Sequence, residues 1–214
     1  MIKRPCLLIF GHGYTANAFV DYIRSMDWEI FGTTRNAQTA DLIVKKGVKP
    51  LMWSDGSKIK SVINRSDYIL HSIPPTEFGD PVYQRFSNAI ISRSANLSWF
   101  GYLSTTSVYG NHDGKWVDEN IPVNPSSNRG LLRVKAENNW SGIKAFPLHI
   151  FRLAGIYGPN RSPLDKIRSG RAQLISKPGQ FFSRIHVEDI ASVLKASIEM
   201  PNHGSVYNVC DDMP

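Results

Sequence analysis

Short apolar runs alternate with longer amphipathic stretches along most of the chain. Runs at Cys6 to Phe10, Glu29 to Thr33, Lys49 to Met52, Tyr68 to Ser72, Trp99 to Ser104 and His149 to Leu153 have the length and composition of strands, with helix-like segments between them. That alternation predicts βαβ units and a parallel sheet. Thr15 to Met26 sets Phe19, Tyr22, Ile23 and Met26 at helical spacing, a group expected in the core. Pro81 to Ala95 opens with a proline where the first turn of a helix tolerates one. Between Tyr109 and Asn128 the periodicity fails, which predicts a long loop after the fifth strand, and such loops often carry function. Beyond Pro159 the pattern predicts a short helix at Leu164 to Ser169, strands at Gln173 to Ser176 and Phe181 to Ile185, a helix at Val187 to Met200 and a final strand at Val206 to Val209. Two parts follow: a main domain over residues 1–158, and a C-terminal part over 159–214 that partly caps a site and partly completes the sheet.

Composition narrows the classes. The 214 residues, 42% hydrophobic and 20% charged, suffice for one main buried core. No apolar stretch approaches the roughly 18 residues needed to cross a bilayer, and no leader is expected before the first strand, so the expectation is a soluble cytoplasmic protein. Cys6 and Cys210, with no CxxC spacing and no His cluster, are expected to be small core residues rather than a disulfide or a metal pair. The net charge of +7 is dispersed; its densest group, Lys45, Lys46 and Lys49, sits near a helix end, where cations suit the dipole. No basic face with interleaved aromatics points to nucleic acid. Part of the excess charge suits a phosphate-rich ligand.

The sharpest local signal is Gly11-His12-Gly13-Tyr14-Thr15-Ala16, a GxGxxA between an apolar strand and a helix. Gly11 permits the tight turn, Gly13 lets a pyrophosphate approach the backbone, and small Ala16 allows close packing of helix on strand. The N–H groups of the first helical turn, at Tyr14 and Thr15, then face the phosphates. The second strand ends Gly32-Thr33-Thr34-Arg35, with no acidic residue to accept from a ribose 2′-hydroxyl; Thr34 and Arg35 suit a 2′-phosphate, which favours NADP over NAD. Asp55, after the third strand, is read either as an adenine contact or as the cap of a helix beginning at Gly56. Ser72 and Ile73, where the fourth strand ends, complete the cofactor-binding set.

These residues, with Ser104-Thr105-Thr106-Ser107-Val108-Tyr109-Gly110, Phe151-Arg152-Leu153-Ala154-Gly155-Ile156-Tyr157-Gly158-Pro159 and Arg184-Ile185-His186-Val187-Glu188-Asp189-Ile190-Ala191 in the same order, resemble the extended short-chain dehydrogenase/reductases, the NAD-dependent epimerase/dehydratase family, in an atypical form. The resemblance implies an α/β, Rossmann-type doubly wound parallel sheet with a small C-terminal substrate region that reads as truncated. It also implies a Ser or Thr that orients the substrate oxygen, a Tyr that moves the proton, and a Lys that lowers the Tyr pKa and binds the nicotinamide ribose. Thr105 matches the first of these. The Tyr-x-x-x-Lys helix corresponds to Arg129-Gly130-Leu131-Leu132-Arg133-Val134-Lys135-Ala136-Glu137, so Arg129 and Arg133 stand in the two catalytic places.

A guanidinium is not a proton shuttle near neutrality. Arg133 can replace the Lys as a cation beside the ribose, and Arg129 can clamp an anionic substrate or polarise a carbonyl; both also suit a solvated helix face. Lys135 points elsewhere on the helix. Tyr109 and Tyr157 are expected to flank the nicotinamide in positioning roles, His112 is the nearby group with an ordinary pKa near neutrality, and Asp189 is expected to cap or tie its helix beside His186. The implied function is an NAD(P)-dependent oxidoreductase of the epimerase/dehydratase kind, acting on a nucleotide sugar or a small carbonyl or polyol compound. The alternative is a non-catalytic NADP-binding sensor or scaffold. A homodimer through the helices near Pro81 to Ala95 and Asn128 to Trp140 is a common family arrangement.

Overall fold

The computed structural model describes residues 4–170, 179 and 181–213. The strands are β1 (Cys6–Phe10), β2 (Glu29–Thr34), β3 (Lys49–Met52), β4 (Tyr68–His71), β5 (Trp99–Thr105), β6 (Leu148–Leu153), β7 (Gly155–Tyr157), β8 (Arg184–His186) and β9 (Ser205–Val209). The helices are α1 (Tyr14–Tyr22), α2 (Ala37–Lys45), α3 (Gly56–Ile63), α4 (Pro81–Ile91), α5 (Asn128–Ser141), α6 (Pro163–Arg168) and α7 (Val187–Glu199). Seven strands form one parallel sheet in the order β3-β2-β1-β4-β5-β6-β9, and β7 pairs with β8 in a separate small parallel sheet. The order reverses between β1 and β4, and ligands of doubly wound sheets bind beyond the strand ends at such a switch point.

Both sheet faces are covered, and that is why these strands are continuous apolar runs rather than alternating ones. On one face Leu7 and Ile9 pack under Phe19 and Val20 of α1 and Ile190 and Leu194 of α7. On the other, Leu8 and Phe10 meet Ile59 and Ile63 of α3, Phe86 of α4 and Trp140 of α5. Trp140 fills the second face with Phe100 and Phe146, at centroid distances of 4.5 and 5.8 Å. Its indole N–H donates to Asp80 Oδ2 (2.8 Å), whose other oxygen caps α4 by accepting from the Val82 and Tyr83 amides. His71 Nε2 lies 2.9 Å from both Asp80 oxygens while its Nδ1 accepts from Ile73 N–H (3.3 Å). Burial works to raise the Asp80 pKa, but the neighbouring imidazole and these hydrogen bonds outweigh it and hold the carboxyl below its ordinary range. This knot fixes the segment that carries Ser72 and Ile73 to the sheet's end.

Several expectations change. The first helix ends at Tyr22 rather than Met26, and Tyr22 is 48% exposed, not core; the Ile23 amide closes the last turn on Phe19 O and the chain then bends. Helix α4 stops at Ile91, with a 3-10 turn at Ser94–Asn96 instead of a continuation to Ala95. Strand β8 begins only at Arg184, where it finds its partner β7; Phe181 and Phe182 lie before it and are exposed. Cys6 is buried as expected, but Cys210 is exposed, because β9 is an edge strand and its last buried residue is Val209. The strand expected at Gln173 to Ser176 lies outside the described residues.

Candidate cofactor and substrate cleft

One large cleft, about 1850 Å³, opens beyond the C-terminal ends of β1, β2, β4, β5, β6 and β9. Pockets for small ligands occupy roughly 300–1,000 Å³, so this volume suits a dinucleotide together with a second molecule. Of the expected site residues, Gly11, Gly13, Tyr14, Thr15, Thr34, Arg35, Ser72, Ile73, Thr105, Arg129 and Arg133 line it. Ala16 does not; it is buried in the core beneath α1, consistent with its packing role. Asp55 does not either. Its side chain accepts from Lys58 N–H (3.1 Å) and Ser57 Oγ–H (2.9 Å) at the start of α3, so helix capping accounts for it.

The phosphate end is built from backbone. Gly11 adopts φ +85°, and a Cβ there would lie 2.8 Å from Ile73 Cγ1, so only glycine fits. Its N–H donates to Thr33 Oγ1 (2.8 Å), tying the turn to β2. A Cβ on Gly13 would meet no protein atom within 4 Å; the space over it is open cleft. Helix α1 has no side-chain cap and no acidic residue in its first turn, whereas the six other α-helices among the described residues carry a side-chain cap. Its first N–H groups are thus left for a ligand, and the positive end of the helix dipole favours an anion. His12 sits over Gly32, where a Cβ would come within 2.7 Å of its Nδ1, and Nε2–H donates to Asn17 Oδ1 (3.1 Å). Burial pushes its pKa down, so the turn carries no charge of its own. Arg35 is exposed at the cleft rim, while the Thr34 hydroxyl donates to Asn36 O (3.3 Å) and is turned toward α2. An open backbone cradle, an uncapped helix start and an exposed rim cation fit a dinucleotide pyrophosphate and its ribose.

The other end is built from β5, β6 and α5. Thr105 Oγ1 accepts from Ser107 N–H (3.3 Å) and lies 3.2 Å from Ser107 Oγ, capping the 3-10 turn Thr106–Val108 and leaving its own proton free to donate. Helix α5 is capped by Ser127, which accepts from Gly130 N–H (3.1 Å). Arg129 is exposed in its first turn, and one turn on Arg133 is largely buried in the cleft floor. Below it lies a network that sequence reasoning missed. Glu137 accepts from Arg152 Nη2–H (2.8 Å) and Nε–H (3.3 Å) and from Ser104 Oγ–H; Arg152 Nη1–H donates to the Tyr109 hydroxyl (2.8 Å), which donates to Asn208 Oδ1 (2.8 Å). The signal was available: an arginine inside the apolar strand Leu148–Leu153 must find a buried partner. Tyr109 and His112 line the cleft, and Tyr157 does not. His112 Nε2 lies 3.1 Å from Tyr109 O. His186 caps α7 through Nδ1, which accepts from Glu188 N–H (3.4 Å), and Asp189 sits in the first turn behind it. Arg161, also in the lining, stacks 5.3 Å from the Tyr14 ring.

Among the described residues no group of three or more His, Cys, Asp or Glu side chains forms a metal site, and no helix is long and apolar enough to cross a membrane.

Comparison with known proteins places this geometry among relatives. The model of the NAD dependent epimerase/dehydratase family matches residues 7–210. Protein YeeZ of Escherichia coli K12 is 22% identical over 213 residues, 94% of this chain and 76% of that protein. A structure described as a functionally unknown conserved protein from Silicibacter pomeroyi is 47% identical, with a TM-score of 0.90 over 98% of this chain and 73% of that one. UDP-glucuronic acid 4-epimerase from Bacillus cereus, solved with NAD, is 16% identical and shares the fold at a TM-score of 0.78, over 97% and 78% of the two chains.

Proposed function

Since the chain belongs to the NAD dependent epimerase/dehydratase family and so to the nicotinamide-dependent proteins, we propose that it is an oxidoreductase that prefers NADP and acts on a nucleotide sugar or a small carbonyl or polyol compound. The observation that carries this reading is the shared lining of one cleft by the Gly11–Thr15 turn, Arg35, Thr105 and Arg129. In that arrangement the uncapped start of α1 binds the pyrophosphate, and Arg35 pairs with a 2′-phosphate through charge-assisted hydrogen bonds. A bound nicotinamide supplies the hydride acceptor and donor. Thr105 donates its free proton to the substrate oxygen, Arg129 and Arg133 supply positive charge beside it, and Arg161, Phe181 and Phe182 line the same cleft.

Calorimetric titration with NADPH and NADH tests the reading on wild type, Arg35→Ala and Gly13→Val. Loss of a charged hydrogen bond costs about 1.5–3 kcal/mol, so Arg35→Ala is expected to weaken NADPH at least tenfold and leave NADH nearly unchanged. A Cβ at Gly13 meets no protein atom within 4 Å, so Gly13→Val puts its side chain into the open cradle and is expected to abolish both. Failure of wild type to bind either nucleotide refutes the reading. The arginines in the Tyr and Lys places favour one alternative, a non-catalytic NADP-binding sensor, which is distinguished by tight NADPH binding with no hydride turnover across a substrate panel.

A further inference from the structure

Arg133 and Arg152 are buried to the same degree, each 7% exposed, but the chain treats them differently. Arg152 is neutralised by Glu137. Arg133 is neutralised by nothing among the described residues: no carboxylate lies within 4.0 Å of its guanidinium. Its partners are two neutral oxygens, the Leu103 carbonyl and the Tyr102 hydroxyl at 3.5 Å, both met by Nη1. Its buried Nε–H has no hydrogen-bond partner. Tyr102 offers no compensating charge, because burial raises its pKa far above neutrality. The nearest acid on the helix, Glu137, is committed to Arg152 and Ser104.

A guanidinium has five N–H donors and cannot shed its proton, so an uncompensated one is costly to bury. Arg133 nevertheless lines the cleft, with Arg129 one helical turn away on the same face. The planar fork of a guanidinium matches the paired oxygens of a carboxylate or phosphoryl group. The cofactor's own phosphates are accounted for at α1, on the far side of β4 from this helix. We infer that the Arg129–Arg133 face of α5 is a receptor for an oxyanion, carboxylate or phosphoryl, carried by the substrate. This rests on the cofactor reading for its substrate role, although the anion site itself does not need the cofactor. A neutral polyol or sugar with no such group would leave Arg133 uncompensated and is not the substrate class.

Thermal unfolding, with and without saturating NADPH, tests this in potassium oxalate and potassium phosphate against potassium chloride of equal ionic strength. At ten times its Kd, an anion bound only to the folded state raises Tm by about 3–6 °C in a chain of this size. Wild type is expected to show that rise, Arg133→Met to lose it, and Arg129→Gln to show a smaller one. Response to oxalate alone identifies a carboxylate site, to phosphate alone a phosphoryl site, and to both a general oxyanion site. No rise in wild type, or a full rise in Arg133→Met, overturns the inference. If Arg133→Met does not fold, the exposed Arg129→Gln decides, and an undiminished rise there overturns it. An anion response that depends on Arg133 in a protein that fails to bind NADPH upholds the site and refutes the cofactor reading instead.

Discussion

Replacing Glu137 by glutamine removes one buried charge from the network beneath the cleft and leaves the side-chain shape nearly unchanged. Arg152 then keeps its positive charge, since a guanidinium does not deprotonate in a protein; in the wild type burial works against that charge, but the hydrogen bonds Arg152 donates to Glu137 and Tyr109 and the Glu137 charge outweigh it and raise its pKa. Both side chains are almost wholly out of water and are joined by two hydrogen bonds, at 2.8 and 3.3 Å. Breaking a buried pair from one side costs about 3–5 kcal/mol, whereas replacing both members with apolar groups of similar volume is often neutral. In a protein of about this size each kcal/mol corresponds to about 2–4 °C in Tm, so Glu137→Gln is expected to melt about 6–20 °C lower. Urea unfolding provides the free energy directly. The double variant Glu137→Leu with Arg152→Met is expected to be more stable than either Glu137→Leu or Arg152→Met alone, with a coupling energy above about 1.5 kcal/mol. A cost below about 1 kcal/mol for Glu137→Gln, or strict additivity in the double variant, refutes the account of this network.

Two further outcomes follow from the core. His149 is buried, its Nδ1–H donates to Pro147 O (3.2 Å) and its Nε2 accepts from Asn202 N–H (3.1 Å), so the folded protein holds the neutral ring; burial lowers its pKa from 6.5 to about 4. Between these values the unfolded chain binds the extra proton, so stability from this group is full above about pH 6.5 and is lost as pH falls toward 4, by about 2 kcal/mol at pH 5. Urea midpoints at pH 8 and pH 5 should therefore differ more in wild type than in His149→Gln, and an equal difference refutes the prediction. At Gly101 a Cβ would lie 2.0 Å from Trp99 Cη2, and Trp99 is pinned by its indole N–H to Ser197 Oγ (3.0 Å). Gly101→Ala is expected to cost about 3 kcal/mol by overpacking, and a variant with wild-type Tm would show that the indole moves freely.

The family blocks and the apolar runs determined, without coordinates, a parallel sheet, its strand positions to within a residue or two, and the turn at Gly11–Ala16. These are local properties: a buried strand needs a continuous apolar run, and a tight turn at φ +85° needs glycine. Element ends were less legible, because the stop at Tyr22 and the late start of β8 depend on which partner segment arrives, not on propensity. The sequence also left open the two readings of Asp55 and of the arginines on α5, since capping and ligand contact use the same residue types. Tertiary structure decided where these side chains sit. It placed Asp55 on its own helix, Arg129 in solvent, Arg152 against Glu137, and Arg133 in the floor of the cleft with no carboxylate among the described residues to meet it. The physical reason is that the cost of a charge depends on its surroundings: identical side chains on one helix or one strand are inert in water and demand a counter-ion once buried, and burial is a property of the whole fold.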